Sequence, residues 1–252
     1  MSGAMYVAAS GALVQQMRLE VLSNNLANVN TIGFKEDQLI FQADAQKSSG
    51  GGTSPADNPT GSTQTAPLSS TFGYMTKFSE GILKETGNQL DFALSGDGFF
   101  TVETENGPQY TRKGNFTISE EGLLITQDGM PVLGEGGSIT IEGDRVEVDT
   151  QGNISVDGTQ VDTLRVVNFT DNSRLIKTGD TLFKPVDPDP EQIEPDNISV
   201  NQGFLESSNV EAIRAMTEMI ETMRLFESYQ KAIQTQDQTT SQAINDVGAP
   251  TQ

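Results

Sequence analysis

Chemistry at a protein surface needs groups that titrate, ligate or attack, and this 252-residue chain has no cysteine and no histidine. Without cysteine there are no disulfides and no thiolate-held metals. Without histidine, the commonest general base near neutral pH, the commonest zinc ligand and any Ser-His-Asp triad are missing. Carboxylates remain. Asp187-Pro188-Asp189-Pro190-Glu191 sets acids at alternate positions, as some calcium loops do. It lacks the turn glycine and the bidentate glutamate of such a loop, and its prolines stiffen it, so a solvated acidic loop is expected. Asp149-Thr150-Gln151-Gly152-Asn153 reads as a hairpin turn rather than an ion site. Asp91 and Asp97 flank a strand, and paired acids can hydrolyse glycosides. Such a pair needs a cleft and a separation of about 5 to 10 Å. Gly50-Gly51-Gly52 has no following lysine to make a phosphate loop. The expectation is no catalytic site, no metal and no cofactor.

Charge narrows the partners. Lys and Arg number 15 against 35 Asp and Glu, a formal net charge of -20. Nucleic acid and anionic membrane surfaces are poor partners for such a chain, and free subunits should repel one another in a salt-dependent way. Hydrophobic residues make up 35% and aromatics 6%, with no tryptophan, a thin supply for a self-sufficient core. No apolar run approaches the roughly eighteen residues of a membrane span, and no basic segment precedes the mildly apolar start. Neither membrane insertion nor a cleaved signal peptide is expected.

The elements that would position any site fall into zones. Residues 3–29 read as one amphipathic helix: Ala8, Ala12, Leu19, Leu22, Leu26 and Val29 follow alternating three- and four-residue steps, with Gln15 the polar member of that seam. At about 1.5 Å per residue it is about 40 Å long. Asn30-Thr31-Ile32-Gly33 supplies the stop, with Gly33 as a left-handed cap. Residues 48–67, rich in Gly, Ser, Thr and Pro, read as an extended connector. Short strand-like runs then alternate with Asn106-Gly107, Glu121-Gly122, Asp128-Gly129, Gln151-Gly152 and Asp157-Gly158, the mark of an antiparallel hairpin domain. From Ser207 the pattern is helical again, with Ile213, Met216, Ile220, Met223 and Phe226 as a wide apolar stripe, extended by Met219 and Ile233. Ser207 or Ser208 with Glu211 suits a capping box, and Glu218, Thr222, Thr217 and Glu221 are expected on the polar face. The fold class is therefore α+β, with N- and C-terminal helices pairing as a coiled coil around a central antiparallel β domain. The expected divisions are 1–34, 35–75 (connector), 76–202 (β domain) and 203–252.

Four motifs then occur in order. Ser23-Asn24-Asn25-Leu26-Ala27-Asn28-Val29-Asn30-Thr31-Ile32-Gly33-Phe34-Lys35 resembles the N-terminal block of the flagellar basal-body rod and hook proteins. Leu90-Asp91-Phe92-Ala93-Leu94-Ser95-Gly96-Asp97-Gly98-Phe99-Phe100 and Tyr110-Thr111-Arg112-Lys113-Gly114-Asn115-Phe116 look like that family's central β domain. Gly203-Phe204-Leu205-Glu206-Ser207-Ser208-Asn209-Val210 is similar to its C-terminal block. The length and the run Pro131-Val132-Leu133-Gly134-Glu135-Gly136-Gly137-Ser138-Ile139 are most like the proximal rod type, with the distal rod type next.

The resemblance implies a structural, non-enzymatic subunit of the periplasmic rod, exported unfolded by the flagellar type III apparatus without a cleaved signal. Its partners would be other rod subunits and further copies of itself, with no small-molecule ligand. The terminal helices would polymerise, becoming ordered as they bind. The residues expected at subunit interfaces are Leu19, Leu22, Asn24, Asn25, Leu26, Asn28, Val29, Gly33, Phe34, Asn209, Ile213, Met216, Ile220, Met223, Phe226 and Ile233. The Asn side chains, Asn30 included, can each donate and accept, so they either lock neighbouring helices in register or cap their own helix. The alternative is a secreted β-domain binding module, or a peptidoglycan-active enzyme, on a helical stalk.

Overall fold

The computed structural model describes residues 3–43, 70–179, 181–187, 190–193 and 198–248. The connector run 48–67 and residues 188 and 189 of the 187–191 acidic loop lie outside the described residues. The fold is α+β: a helix α1 (Gly3–Ala27), a β-rich centre with antiparallel pairing, and a helix α2 (Ala212–Gly248). Within the stretch expected to be a connector, Asp37–Ala43 pairs antiparallel with Ser70–Thr76, from Asp37 opposite Thr76 to Ala43 opposite Ser70.

The β domain is organised by one sheet of six strands in the order Leu175–Lys177, Leu182–Pro185, Gly107–Thr111, Phe99–Thr104, Val166–Phe169, Gln192–Ile193. Side chains alternate between the faces of a strand, so adjacent Phe99 and Phe100 enter different cores. Phe100 joins Phe92, Phe116, Leu124, Ile154 and Val200; Phe99 joins Tyr110, Phe169 and Phe183. Edge-on ring pairs complete both clusters: Phe100–Phe116 at 5.3 Å and Tyr110–Phe169 at 4.8 Å between centroids. Each fully buried aromatic contributes about 1.5–3 kcal/mol, enough to make a thin apolar supply suffice here. The Asp157-Gly158 turn has positive φ at both residues, as a two-residue hairpin twisting with its strands requires. Residues 139–141 lie outside the strands and make bridge-like contacts. Leu124 N–H donates to the Ile139 carbonyl and Ile141 N–H to the Gly122 carbonyl, while both isoleucines are buried.

Late strands return beside early ones. Ser199–Gln202 pairs with Phe92–Ser95, and Phe204–Glu206 with Leu83–Glu85. This carries the start of α2 to the end of α1. The start lies later than the sequence implied: α2 begins at Ala212, with Ala215 N–H donating to the Glu211 carbonyl. The Ser208 hydroxyl instead accepts from Val210 N–H in the preceding turn.

At this junction three charges are buried together. Lys35 Nζ donates to Glu206 Oε1 at 2.6 Å and to the Ser79 carbonyl at 2.8 Å. Arg112 Nη1 lies 3.4 Å from Glu206 Oε2, and its Nη2 donates to the Gly96 carbonyl at 2.7 Å. Glu206 Oε1 also accepts from Gly81 N–H. Lys35 and Glu206 are 1% exposed and Arg112 2%. Two cations share one carboxylate, so a single positive charge is left in a low dielectric. Burial pushes the Lys35 ammonium below the ordinary lysine range, opposed by the attraction and hydrogen bond of Glu206. Gly33 fits here because of its own shape. Its φ is +69°, its N–H donates to the Glu206 carbonyl at 2.8 Å, and a Cβ would fall 2.5 Å from the Arg112 carbonyl carbon and the Lys113 nitrogen.

Gly33→Ala should therefore cost about 2 kcal/mol or more in stability, from left-handed strain plus backbone overlap. A thermal midpoint within error of the parent would refute that assignment. The lowered Lys35 pKa gives a second expectation. In the window between its folded pKa and the ordinary value of about 10.4, the unfolded chain binds more protons, so stability contributed by this group rises with pH. Denaturant titrations across that window should show the rise in the parent and its loss in Lys35→Met; an unchanged slope in the variant would show that Lys35 is not its source.

Candidate functional site

The chain's two longest elements lie side by side. The Tyr229 ring sits over Gly11, where an added Cβ would come within 2.6 Å of it. Arg18 Nη2 lies 3.8 Å from Glu218 Oε2, and Val29 and Phe34 pack with Val210 and Ala215. As α1 advances its partner numbers fall, so the helices run antiparallel. α2 has 37 residues against 25 in α1, and its surplus of 12 continues the helix for about 18 Å past the far end of its partner.

Each helix divides into an inward and an outward face. On α1, Ala12 and Leu22 are buried and Ala8, Gln15, Leu19, Leu26 and Val29 half-buried. That is the seam read from the sequence. The Gln15 side-chain oxygen is shielded and finds no hydrogen-bond partner among the described residues. Such a polar group in a helical seam costs stability and favours one register. On α2 the inward face is Ala215, Met219, Thr222, Phe226, Tyr229 and Ile233, again at steps of three and four. The stripe expected to be one surface is thus split. Phe226 and Ile233 face α1, whereas Ile213 is 83% exposed, Met216 50%, Ile220 55% and Met223 50%. The expected polar face is corrected as well: Thr222 is buried, its hydroxyl donating back to the Glu218 carbonyl at 2.7 Å, and Glu218 itself is half-buried. Small side chains at Gly11 and Ala215 let the backbones approach, which larger apolar neighbours would prevent. Arg214, holding Glu218 at 3.0 Å on the same helix, has its pKa raised by that hydrogen bond and by the carboxylate's charge.

The asparagines divide too. Asn25 is buried, donating to the Asp37 carbonyl at 2.8 Å and accepting from Asp37 N–H at 2.9 Å, so its amide imitates a strand partner. Asn209 accepts from Glu36 N–H and donates to the Lys77 carbonyl. Asn28 donates to the Asn24 carbonyl at the end of α1 and accepts from the Thr31 hydroxyl. Asn24 and Asn30 are exposed. Gly33 and Phe34 are buried at the junction, where the Lys177 ammonium stands 4.0 Å from the Phe34 ring centroid and 2.7 Å from Asp37 Oδ2. Sequence reasoning missed Lys35, Arg112, Glu206 and Thr222 as organising residues. The available signal was a charge beside a bulky apolar residue, Lys35 after Phe34 and Glu206 after Leu205.

Asp91 and Asp149, two of the carboxylates weighed for chemistry, have structural partners. Asp91 accepts from the Thr86 hydroxyl at 2.7 Å and from the Asn88 amide at 3.1 Å. Asp149 accepts from the Asn153 amide and from Gln151 and Asn153 N–H, bonds that lower its pKa, the Asn153 side chain most. It closes a turn. No group of three or more acids, among the described residues, could hold a metal ion, and no described helix is long and apolar enough to cross a membrane.

Comparison with known proteins follows the same three-part division. Residues 5–35 match the flagella basal body rod protein family, 93–156 the D1 domain of the flagellar hook protein FlgE/F/G family, and 201–246 the C-terminal region of the flagellar basal body rod FlgEFG proteins. The chain is 34% identical to the flagellar basal-body rod protein FlgF of Caulobacter vibrioides, over 98% of this chain and 99% of the relative. It is 33% identical to FlgG of Bacillus subtilis, over 96% and 97%, and 31% identical to FlgF of Rhizobium meliloti, over 98% and 99%. The three family matches and the end-to-end similarity to these relatives lead to one assignment: the chain belongs to the flagellar basal-body rod protein family, whose members are structural and not enzymes.

Proposed function

We propose that this chain is a structural subunit of the flagellar basal-body rod, of the proximal, FlgF type, joined to neighbouring subunits through its terminal helices. The observation that carries the reading is the outward stripe of Ile213, Met216, Ile220 and Met223, which its own α1 leaves uncovered. Met216, Ile220 and Met223 are already about half covered, so each gains on the order of 1 kcal/mol on full burial, and the more exposed Ile213 gains more. Stacked copies or related rod subunits supply that cover. The inward faces at alternating three- and four-residue steps pair as a short antiparallel coiled coil, and Gln15 helps to choose its register. The overhang of α2 offers a further turn-by-turn surface to the next subunit. Similarity to FlgF relatives over nearly the whole of both chains supports the proximal assignment over the distal one.

Of the residues expected at interfaces, Leu22, Asn25, Gly33 and Phe34 act within the subunit, shaping the helix pair, and Ile213, Met216, Ile220 and Met223 act between subunits. Leu19, Leu26, Asn28, Val29, Asn209, Phe226 and Ile233 support the first group, and exposed Asn24 the second. The divisions 1–34, 35–75, 76–202 and 203–252 serve as polymerising helix, connector, outer β domain and polymerising helix. Export by the flagellar type III apparatus, without a cleaved signal, delivers the chain to the periplasmic part of the basal body.

The double substitution Met216→Glu with Ile220→Glu tests this on the outward face alone. Exposed positions change folding stability by about 0.5 kcal/mol or less, so the purified variant should keep the parent's circular dichroism and thermal midpoint. In a strain lacking the chromosomal copy it should fail to restore swimming, and imaging should show basal bodies with truncated rods. Wild-type swimming from a folded, expressed variant would remove the outward stripe from the assembly surface.

A further inference from the structure

The outward stripe of α2 carries sulfur. Ile213, Met216, Ile220 and Met223 follow one another at helical steps of three and four, and two of these four side chains are thioethers. The chain has no cysteine, so its eight methionines are its only sulfur atoms. Among the described residues three methionines are exposed, Met216 and Met223 at 50% and Met75 at 38%, whereas Met130 packs against the larger core of the β domain. Met216 and Met223 lie on the face turned away from α1, so they meet water whether or not the two helices are paired. We propose that Met216 and Met223 are oxidation sites through which hydrogen peroxide blocks the joining of new subunits. The inference rests on the rod reading and names a chemical regulator of that reading's assembly surface.

The step is an oxygen transfer. A lone pair on the methionine Sδ attacks one peroxide oxygen, the O–O bond breaks and an S–O bond forms. The thioether is oxidised to the sulfoxide and the peroxide is reduced to water, the proton of the transferred oxygen passing to the departing hydroxide. A flexible apolar side chain thereby becomes a polar one with a strong hydrogen-bond acceptor. In water that oxygen is satisfied. Under a neighbour's apolar side chains it needs a donor, and an acceptor buried without one opposes the contact. Ile213 and Ile220 have no donor to give. Thr217, four residues after Ile213 and three before Ile220, carries a hydroxyl on the same face, but that hydroxyl already donates to the Ile213 carbonyl at 2.9 Å. A free subunit therefore tolerates the sulfoxides, and a joined one does not. Cover also shelters the sulfur atoms, which confines the reaction to subunits that have not yet joined.

Peptide mapping of the purified full chain through a time course in hydrogen peroxide should show Met216 and Met223 converted to sulfoxide several-fold faster than Met130, with the thermal transition of the β domain unchanged. The consequence is read in a strain lacking the chromosomal copy. There the chain is induced with and without peroxide, at a dose that leaves growth unchanged, and complete basal bodies are counted by imaging. The count with peroxide, divided by the count without it, should fall several-fold in the parent. Met216→Leu with Met223→Leu keeps the stripe apolar and removes both thioethers, so its ratio should stay close to unity, while Met75→Leu should respond as the parent does. Met216→Ile with Met223→Ile makes the same comparison with the residue type already present in the stripe. Equal ratios in the parent and the double variants would overturn the proposal. So would sulfoxide forming at Met216 and Met223 no faster than at Met130, or a ratio restored by Met75→Leu alone. Failure of both double variants to build any rod would overturn it as well, because shape and not polarity would then govern the stripe. If the strain lacking the gene still builds complete basal bodies, the rod reading falls instead, and the peptide map stands apart from that result.

Discussion

Two helices packed side by side can cover only one face of each other, and most features of this chain follow from that limit. The inward faces are consumed by Gly11 against Tyr229 and by Ala215 with Val29 and Phe34. The outward stripe of α2 is left in water with side chains as large as Ile213 and Met216. Isolated helices are marginal in water, and a two-helix unit improves on them only in part. A subunit so built keeps the Ile213, Met216, Ile220 and Met223 side chains of α2 exposed.

The β domain meets the opposite requirement. It is closed on itself, with one core on each side of the strand that carries Phe99 and Phe100, and strands near residues 200 and 205 return to pair with those near 94 and 84. That return does mechanical work at the junction. It brings the chain entering α2 back to the chain leaving α1, so that a finished domain delivers both helices to one place. Buried charge lies at that junction beside apolar packing and strand pairing. A carboxylate shared by a lysine, an arginine and a backbone amide has few alternative geometries, and the low dielectric that makes it costly also makes it selective.

Much of this was legible in the sequence, for reasons of period. The α1 seam follows from steps of three and four, and the hairpins from turn dipeptides between strand-like runs; both are local signals. The α2 stripe was misphased because hydrophobicity ranks Ile213 and Met216 above Ala215 and Thr222, whereas close backbone approach ranks them the other way. Thr222 can turn inward because its hydroxyl is already satisfied by the Glu218 carbonyl. Asp37–Ala43 and Ser70–Thr76 escaped notice since pairing across a long insertion leaves no local mark. The same holds for Glu206 with Lys35, where each residue alone reads as a solvated charge. Asn25 was expected at a subunit interface, and its binding of both polar groups of the Asp37 backbone was not legible because that partner lies twelve positions away.

Charge distribution adds a last constraint on how such subunits can stack. The helical segments hold four basic and six acidic residues, a net charge of -2, so -18 of the chain's -20 belongs to the rest. Packing helices face to face therefore meets little Coulombic resistance, while bringing the remaining parts of neighbouring subunits close is opposed within about a Debye length, roughly 8 Å at physiological salt. In a tube, material near the axis is crowded and material at larger radius is spread. Like charges carried at larger radius in such a tube lie further apart than like charges near its axis.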